Sequence, residues 1–297
     1  MNTSGRAVRI SQTNTLRVCV CLGIGLFLAV SASCAEQANL KMVTPQTPHV
    51  AVAYGDFLGE GGEPMADSAR RHFEAVTAAL DQVRIPYQST SDSEIEAEAV
   101  PDADILILPY NRAVSDTELQ QILEFIDAGG RVIACYLAPD SLLDRLGAQA
   151  LGPKRASEVI GQRETIHLQE DGSPGMPGHI VQPSRWLMQC EPNEQGDLIG
   201  WWEAGPLGRI PAVIAGPAGA FIACGLTRDH QPHGGALLRA LCGKWVNGIW
   251  GQSIPTLPQH LGPYGPYRNL DSLAESVQHK ASRGHDVMPA LRDIAEA

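Results

Sequence analysis

Seven cysteines and nine histidines in 297 residues make thiol chemistry the first possibility to weigh in this chain. Cys135 lies at the end of an apolar run, and Asp229, His230 and His233 follow a second one, Ala220 to Leu226. A cysteine attacks as its thiolate, so it needs a base or a positive neighbour close by. Cys135 with His230 is therefore a candidate dyad for hydrolysis through a thioester. The flanks of Cys135 argue the other way. Ala134 and Tyr136 stand on either side, with Leu137 and Ala138 beyond, and a side chain at each position hinders the tight turn that exposes a nucleophile. Two readings stand: a divergent Cys135/His230 hydrolase, and a structural cysteine with surface histidines. The second is preferred.

Other chemistries leave fewer traces. Cys190, Cys224 and Cys242 sit in apolar surroundings without CxxC or Cys/His spacing, so no metal site is expected. They read as buried thiols, and no disulfide pair is selected. The glycine-rich stretch GDFLGEGGEP follows the first strand but matches neither GxGxxG nor a P-loop with its lysine. Its Asp56, Glu60 and Glu63 would repel phosphate, so no cofactor is expected. The acidic stretch Asp92 to Glu98 reads as a solvated helix or loop.

These residues are positioned by an alternation of strands and helices. Ile105 to Leu108 is a continuous apolar run, as in a strand buried on both faces. Ser115 and Glu118 have capping-box spacing, and Leu119, Ile122, Leu123 and Ile126 line one face of the helix that follows. Gly129 and Gly130 end that helix, and Arg131 to Leu137 is a second buried strand. Strand, crossover helix and strand make a right-handed parallel unit. His49 to Tyr54 precedes it as the first strand, followed by a helix from Pro64 to about Val83 and a short strand, Ile85 to Gln88. A short helix, Pro139 to Leu146, comes after it. Beyond Leu151 the texture changes to antiparallel hairpins: Glu164 to Leu168, Arg185 to Cys190, Asp197 to Glu203, Pro211 to Ala215 and Ala220 to Leu226. A helix around Leu237 to Trp245 closes the domain.

In open parallel sheets ligands bind beyond the carboxyl ends of the strands. That rule makes Asp56, Asn111, Cys135, Asp229 and His230 the ligand-pocket candidates. Each has an alternative role as a turn or cap residue, Asn111 in the loop before Ser115 above all. Trp201 and Trp202 suit sugar stacking, but alternation in a strand leaves only one of them facing outward.

Residues 1–35 read as an export signal. Arg6, Arg9 and Arg17 form a basic start, Val18 to Val30 is apolar, and small residues follow. Cleavage after Ala35 gives a soluble exported protein. Cleavage before Cys34 gives a lipid-anchored one, although the leucine usual three residues earlier is absent. Removing the signal leaves 19 basic against 33 acidic residues, a net charge of −14. So acidic a chain is a poor partner for nucleic acid or an anionic membrane surface. Residues 36–47 read as a linker, 48–251 as the folded domain, and 252–297 as loop with two weak helices.

The run ADILILPYNRAVSDTELQQILEFIDAGGRVIACY resembles the class I glutamine amidotransferase-like fold, and is most similar to the trimerisation domains of bacterial beta-galactosidases. The stretch from Gly175 to Trp250 is similar to the amidotransferase-like domain that precedes the barrel in exported glycosyl-hydrolase-family-10-like proteins. Together the resemblance covers roughly His49 to Trp250. It implies an α/β, flavodoxin-like three-layer parallel sheet with an antiparallel strand insertion. It also implies that an active enzyme would need a glycine-flanked cysteine elbow and a His-x-Glu pair. Neither is present at Cys135, His230 or His233. The expected function is thus an exported, non-catalytic domain that binds or associates in a carbohydrate-processing context. Its partners would be carbohydrate, another protein or further copies of itself. The alternatives are the Cys135/His230 hydrolase and a remnant of a longer protein, since 297 residues leave no room for a barrel.

Overall fold

The computed structural model describes residues 49–57, 63–161, 164–169, 175–204, 208–228, 231–246 and 249. The expected export signal and linker, most of the glycine-rich loop after the first strand and the helices expected after 252 lie outside the described residues, as do Cys34, Asp229 and His230.

The centre is a parallel sheet. Strands β1 (Val50–Tyr54), β2 (Tyr87–Ser91), β3 (Ile105–Leu108), β4 (Arg131–Cys135) and β11 (Gly219–Ile222) lie in the order β2-β1-β3-β4-β11, all parallel. This is the flavodoxin-like order, with β11 as the fifth parallel strand. β3, β11 and the four apolar residues of β4 are wholly buried, as strands covered on both faces must be. Helices α1 (Glu63–Gln82), α2 (Asp92–Glu98), α3 (Asp116–Asp127) and α4 (Asp140–Arg145) fall between these strands, and α6 (Gln231–Trp245) follows β11. α1 and α6 pack together.

Beyond β11 the sheet continues antiparallel through β10 (Arg209–Gly216), β9 (Asp197–Glu203), β6 (Thr165–Leu168) and β7 (His179–Val181). The expected antiparallel insertion is therefore an extension of the same sheet. β5 (Ala148–Arg155) and β8 (Trp186–Pro192) form a separate antiparallel ribbon. A bridge between Leu187 and Cys224, and the Met188 N–H donating to Ala223 O at 2.7 Å, fasten this ribbon beside the end of β11. The short helix α5 (Ala156–Val159) follows β5.

The strand expected over Ala220 to Leu226 ends at Ile222, and further differences from the sequence expectation have local reasons. The second strand starts at Tyr87, because α1 ends in a Schellman cap. The Ile85 N–H donates to Leu80 O and the Arg84 N–H to Asp81 O, while Arg84 takes φ +58°. Ile85 is spent on that cap and Pro86 has no N–H, so pairing begins after it. β4 stops at Cys135 instead of Leu137, for the reason given below. β5 and β7 were not expected at all: Leu151, Gly152 and Pro153 obscure the first, and the second has only three residues.

Gly219 shows how tightly the parallel half is joined to the antiparallel half. It opens β11 with φ +147°, and a Cβ there would lie 1.8 Å from Val132 O in β4. Gly219→Ala should cost more than about 3 kcal/mol in denaturant unfolding, because neither the backbone angle nor the β4–β11 spacing can absorb the methyl group.

Candidate functional site

The carboxyl ends of β3, β4 and β11 open into a cavity of about 960 Å³. Helix α1 supplies Ser68, Arg71, His72 and Glu74. Tyr110 and Arg112 come from the loop after β3, Tyr136 and Leu137 from the bend after β4, and Gly225 to Arg228 from the segment after β11. Pro153, Ser184, Arg185 and Trp186 of the ribbon close the other side.

The bend after β4 decides what chemistry this rim can offer. Tyr136 has φ +65°, its N–H donates to Ile222 O at 2.8 Å, and the Leu137 N–H donates back to Cys135 O at 2.8 Å. A three-residue turn of this kind about a positive φ is a γ-turn, rare outside strained sites. The sharp bend that would display a nucleophile is present, but Tyr136 occupies it. Cys135 stands one residue earlier, paired with Ile222 in the ladder, and is fully buried. Burial, with Cys224 adding to it, pushes its thiol pKa far above the ordinary cysteine range. Cys190, Cys224 and Cys242 are likewise buried and free, with thiols pushed up to about 12 by burial.

Three rings form the wall beside this bend. His72 stacks on Tyr110 with ring centroids 5.0 Å apart, and Tyr110 stacks on Tyr136 at 5.7 Å. His72 Nδ1 lies 3.0 Å from Leu226 O; a carbonyl only accepts, so Nδ1 carries the proton. Burial lowers the His72 pKa more than this bond raises it, leaving a neutral ring with Nε2 as an acceptor. Gly225 makes room for it: a Cβ at that position would sit 2.3 Å from His72 Cε1. The Tyr136 hydroxyl pKa is raised by burial and by Tyr110, against a lowering by Arg112, so it remains a phenol that can donate or accept. Trp186 is 41% exposed at the mouth, with the Arg155 guanidinium 5.5 Å from its ring. Arg71 donates to Ser68 Oγ at 3.2 Å, and Arg228 lies 3.9 Å from Glu74.

Two of the sequence candidates belong to a different cluster. Asp56 accepts from the Ser93 N–H at 3.0 Å and from the Ser93 hydroxyl, holding the first turn of α2. Asn111 is fully buried and donates through Nδ2 to Asp92. Neither lines the cavity. Asp92 is itself fully buried, which corrects the expectation that Asp92 to Glu98 is a solvated stretch. Glu118 corrects a second one. Ser115 does cap α3, accepting from the Glu118 N–H at 3.0 Å, but the Glu118 carboxyl is buried towards Asp92 with no aligned hydrogen bond to either oxygen. Both carboxyl pKa values are raised: burial acts first on each, and the neighbouring Asp92 charge adds to it for Glu118. Trp202 is buried, and Trp201 carries the Arg209 guanidinium 4.0 Å from its ring, so neither offers a bare stacking surface. His233 lies in α6.

The cavity residues that matter were not singled out from the sequence. The carboxyl-end rule pointed to the loops after β3 and β4, and Tyr110 and Tyr136 were one residue from the positions chosen there. His72 carries no such signal, being one polar position on an amphipathic helix. Trp186 needed the unexpected β5–β8 pairing. Among the described residues no group of three His, Cys, Asp or Glu could hold a metal ion, and no helix is long and apolar enough to cross a membrane.

No protein-family model matches the sequence, and no curated protein matches it. Solved structures do resemble the fold. The alpha-L-fucosidase isoenzyme 2 of Paenibacillus thiaminolyticus aligns over 75% of this chain at 18% identity and a TM-score of 0.52. The beta-galactosidase of Halorubrum lacusprofundi aligns over 74% at 16% identity and 0.49. A glutamine amidotransferase of Thermotoga maritima aligns over 84% at 11% identity and 0.33, covering 99% of that chain. The last two fall below a TM-score of one half and carry no argument. The chain spans 36% of the fucosidase, about a third of its length. The fold, a flavodoxin-like parallel sheet extended by antiparallel strands, resembles a part of that fucosidase. Such likeness concerns architecture, and activity must be argued from the site.

The buried carboxyl pair gives this region a pH signature. The folded state holds its protons more tightly than the unfolded chain, so the pair favours folding at low pH, and that contribution is lost as pH rises above the ordinary carboxylate range of about 4. Glu118→Gln keeps the shape and removes the titration. It should raise stability at neutral and alkaline pH by about 1–3 kcal/mol, with the gain shrinking to nothing towards pH 4, as thermal melting across pH will read.

Proposed function

We propose that this chain is an exported domain that binds carbohydrate in the cavity at the carboxyl end of its sheet, without thiol chemistry. The observation that carries this reading is the offset at the bend: Tyr136 takes the strained, half-buried position at the rim and Cys135 is sealed in the strand behind it. What remains at the rim is a concave, largely pre-formed pocket with three stacked rings, an exposed indole and hydroxyls from Ser68, Ser184 and Thr227. A pocket of several hundred Å³ with apolar walls and a few polar groups is the ordinary form of a small-ligand site. Aromatic faces beside hydroxyls suit the apolar face and polar edge of a sugar ring. The structural likeness to part of a fucosidase supports a carbohydrate context, and the basic, apolar, then small-residue order of residues 1–35 supports export.

Two measurements test this. Titration with an oligosaccharide panel, followed by Trp186 emission and by calorimetry, should show saturable binding. Tyr110→Ala or Trp186→Ala should weaken it about tenfold, the effect of losing one stacking surface of 1–2 kcal/mol. Binding that ignores both substitutions would place the ligand elsewhere. The second measurement is alkylation near neutral pH. Cys135 should stay unlabelled in the native protein and react only after unfolding. Rapid native labelling, or a hydrolase activity lost in Cys135→Ala, would overturn the non-catalytic reading.

A further inference from the structure

The charge around the cavity runs against the charge of the chain. The whole sequence has 22 basic and 33 acidic residues, yet among the described residues Arg71, Arg112, Arg185 and Arg228 border the cavity against one acid, Glu74. They come from four separate segments: α1, the loop after β3, the start of the ribbon and the segment after β11. No local sequence bias explains their convergence. All four are arginines and none is lysine. A guanidinium presents a planar fork that grips a carboxylate or sulfate with two parallel hydrogen bonds, which an ammonium cannot do.

The spacing lets them act together. A volume of about 960 Å³ is roughly 10 Å across, close to one Debye length at physiological ionic strength. A charge held inside therefore feels all four, and the concave wall focuses the field. Arg228 lies 3.9 Å from Glu74, with Arg228 largely and Glu74 about half exposed to water, so the pair is weak and yields to a better acceptor. Arg71 rests on the uncharged Ser68 hydroxyl. The Tyr136 phenol and the neutral His72 add no charge to the aromatic wall, so the arginines set the sign of the cavity.

Resting on the carbohydrate reading above, we infer that the ligand is a saccharide bearing an oxyanion, a sugar carboxylate or sugar sulfate whose charged group meets the arginines while its ring lies against the aromatic wall. The size of the cavity suits a mono- to trisaccharide. A polyanion such as nucleic acid is disfavoured by the acidity of the rest of the chain.

The test uses the full chain and four probes in calorimetry: trigalacturonate, its fully methyl-esterified form, galactose 6-sulfate and succinate. Trigalacturonate or galactose 6-sulfate should bind, and whichever binds identifies carboxylate or sulfate as the group recognised. The ester, with the same shape and no charge, should bind about tenfold more weakly, and raising the salt should weaken only the charged probes. The double variant Arg112→Ala with Arg228→Ala should lose about tenfold for the charged sugar and little for the ester. Both side chains are exposed, so an unchanged melting temperature will confirm folding. The conservative Arg112→Lys should restore part of the loss, keeping the charge without the fork. If the ester binds as tightly as the acid, the charge inference fails and the carbohydrate reading stands. If succinate binds and no sugar does, the carbohydrate reading fails and the charge inference stands. Silence from all four probes overturns both.

Discussion

The arrangement depends on the ladder that holds β4 between β3 and β11. Pairing with β3 over Arg131–Ala134 and with β11 over Val132–Cys135 fixes the strand in register, and the first residue free to turn is Tyr136. Everything at the rim follows from that count. Had the ladder ended one residue sooner, the sulfur would have reached the bend, and a thiol would face the cavity in place of a phenol. The two hydrogen bonds at 2.8 Å that close the turn show that the bend is actively held. A scaffold able to strain one backbone position beside a cavity uses that strain to place an aromatic ring.

The same constraint explains why the cavity wall is a stack. Tyr136 is aimed by its turn, Tyr110 by the loop after β3, and His72 by a backbone acceptor on the segment after β11. Each ring is delivered by a different piece of chain, and each is fixed by a backbone feature and not by its own neighbours in sequence. Gly225 is the price of the arrangement, since the imidazole occupies the space that any side chain there would fill. The lower carboxyl cluster stands apart from this wall. Asp92, Asn111 and Glu118 tie α2 and α3 together under the same rim, and their protons make that junction sensitive to pH.

The parallel core was legible because its signals are local. The uninterrupted apolar residues Ile105–Leu108, the Ser115 cap and Gly129 at φ +104° each state their structure within a few residues. The antiparallel strands β6, β8, β9 and β10 were readable for the same reason. The site was much less so. Cys135 looked chemically interesting because of its element and its place near a strand end, but the face a strand residue shows depends on a one-residue count that apolar periodicity does not give. Asp56 and Asn111 were correctly placed at strand ends, yet their side chains turn to Ser93 and Asp92. The arginine convergence is invisible in sequence, because its members are joined only by the folding of four distant segments.

The row of buried sulfurs has one more consequence. Cys135, Cys224 and Cys190 lie near enough to raise one another's pKa in sequence, and none is joined to another in the folded protein. In an oxidising compartment such thiols are safe only once the core has closed over them. Under the proposed export, a newly made chain would run a race in which collapse of the sheet must outpace oxidation. The finished fold encloses the four sulfurs of Cys135, Cys190, Cys224 and Cys242, which lend it no covalent support among the described residues.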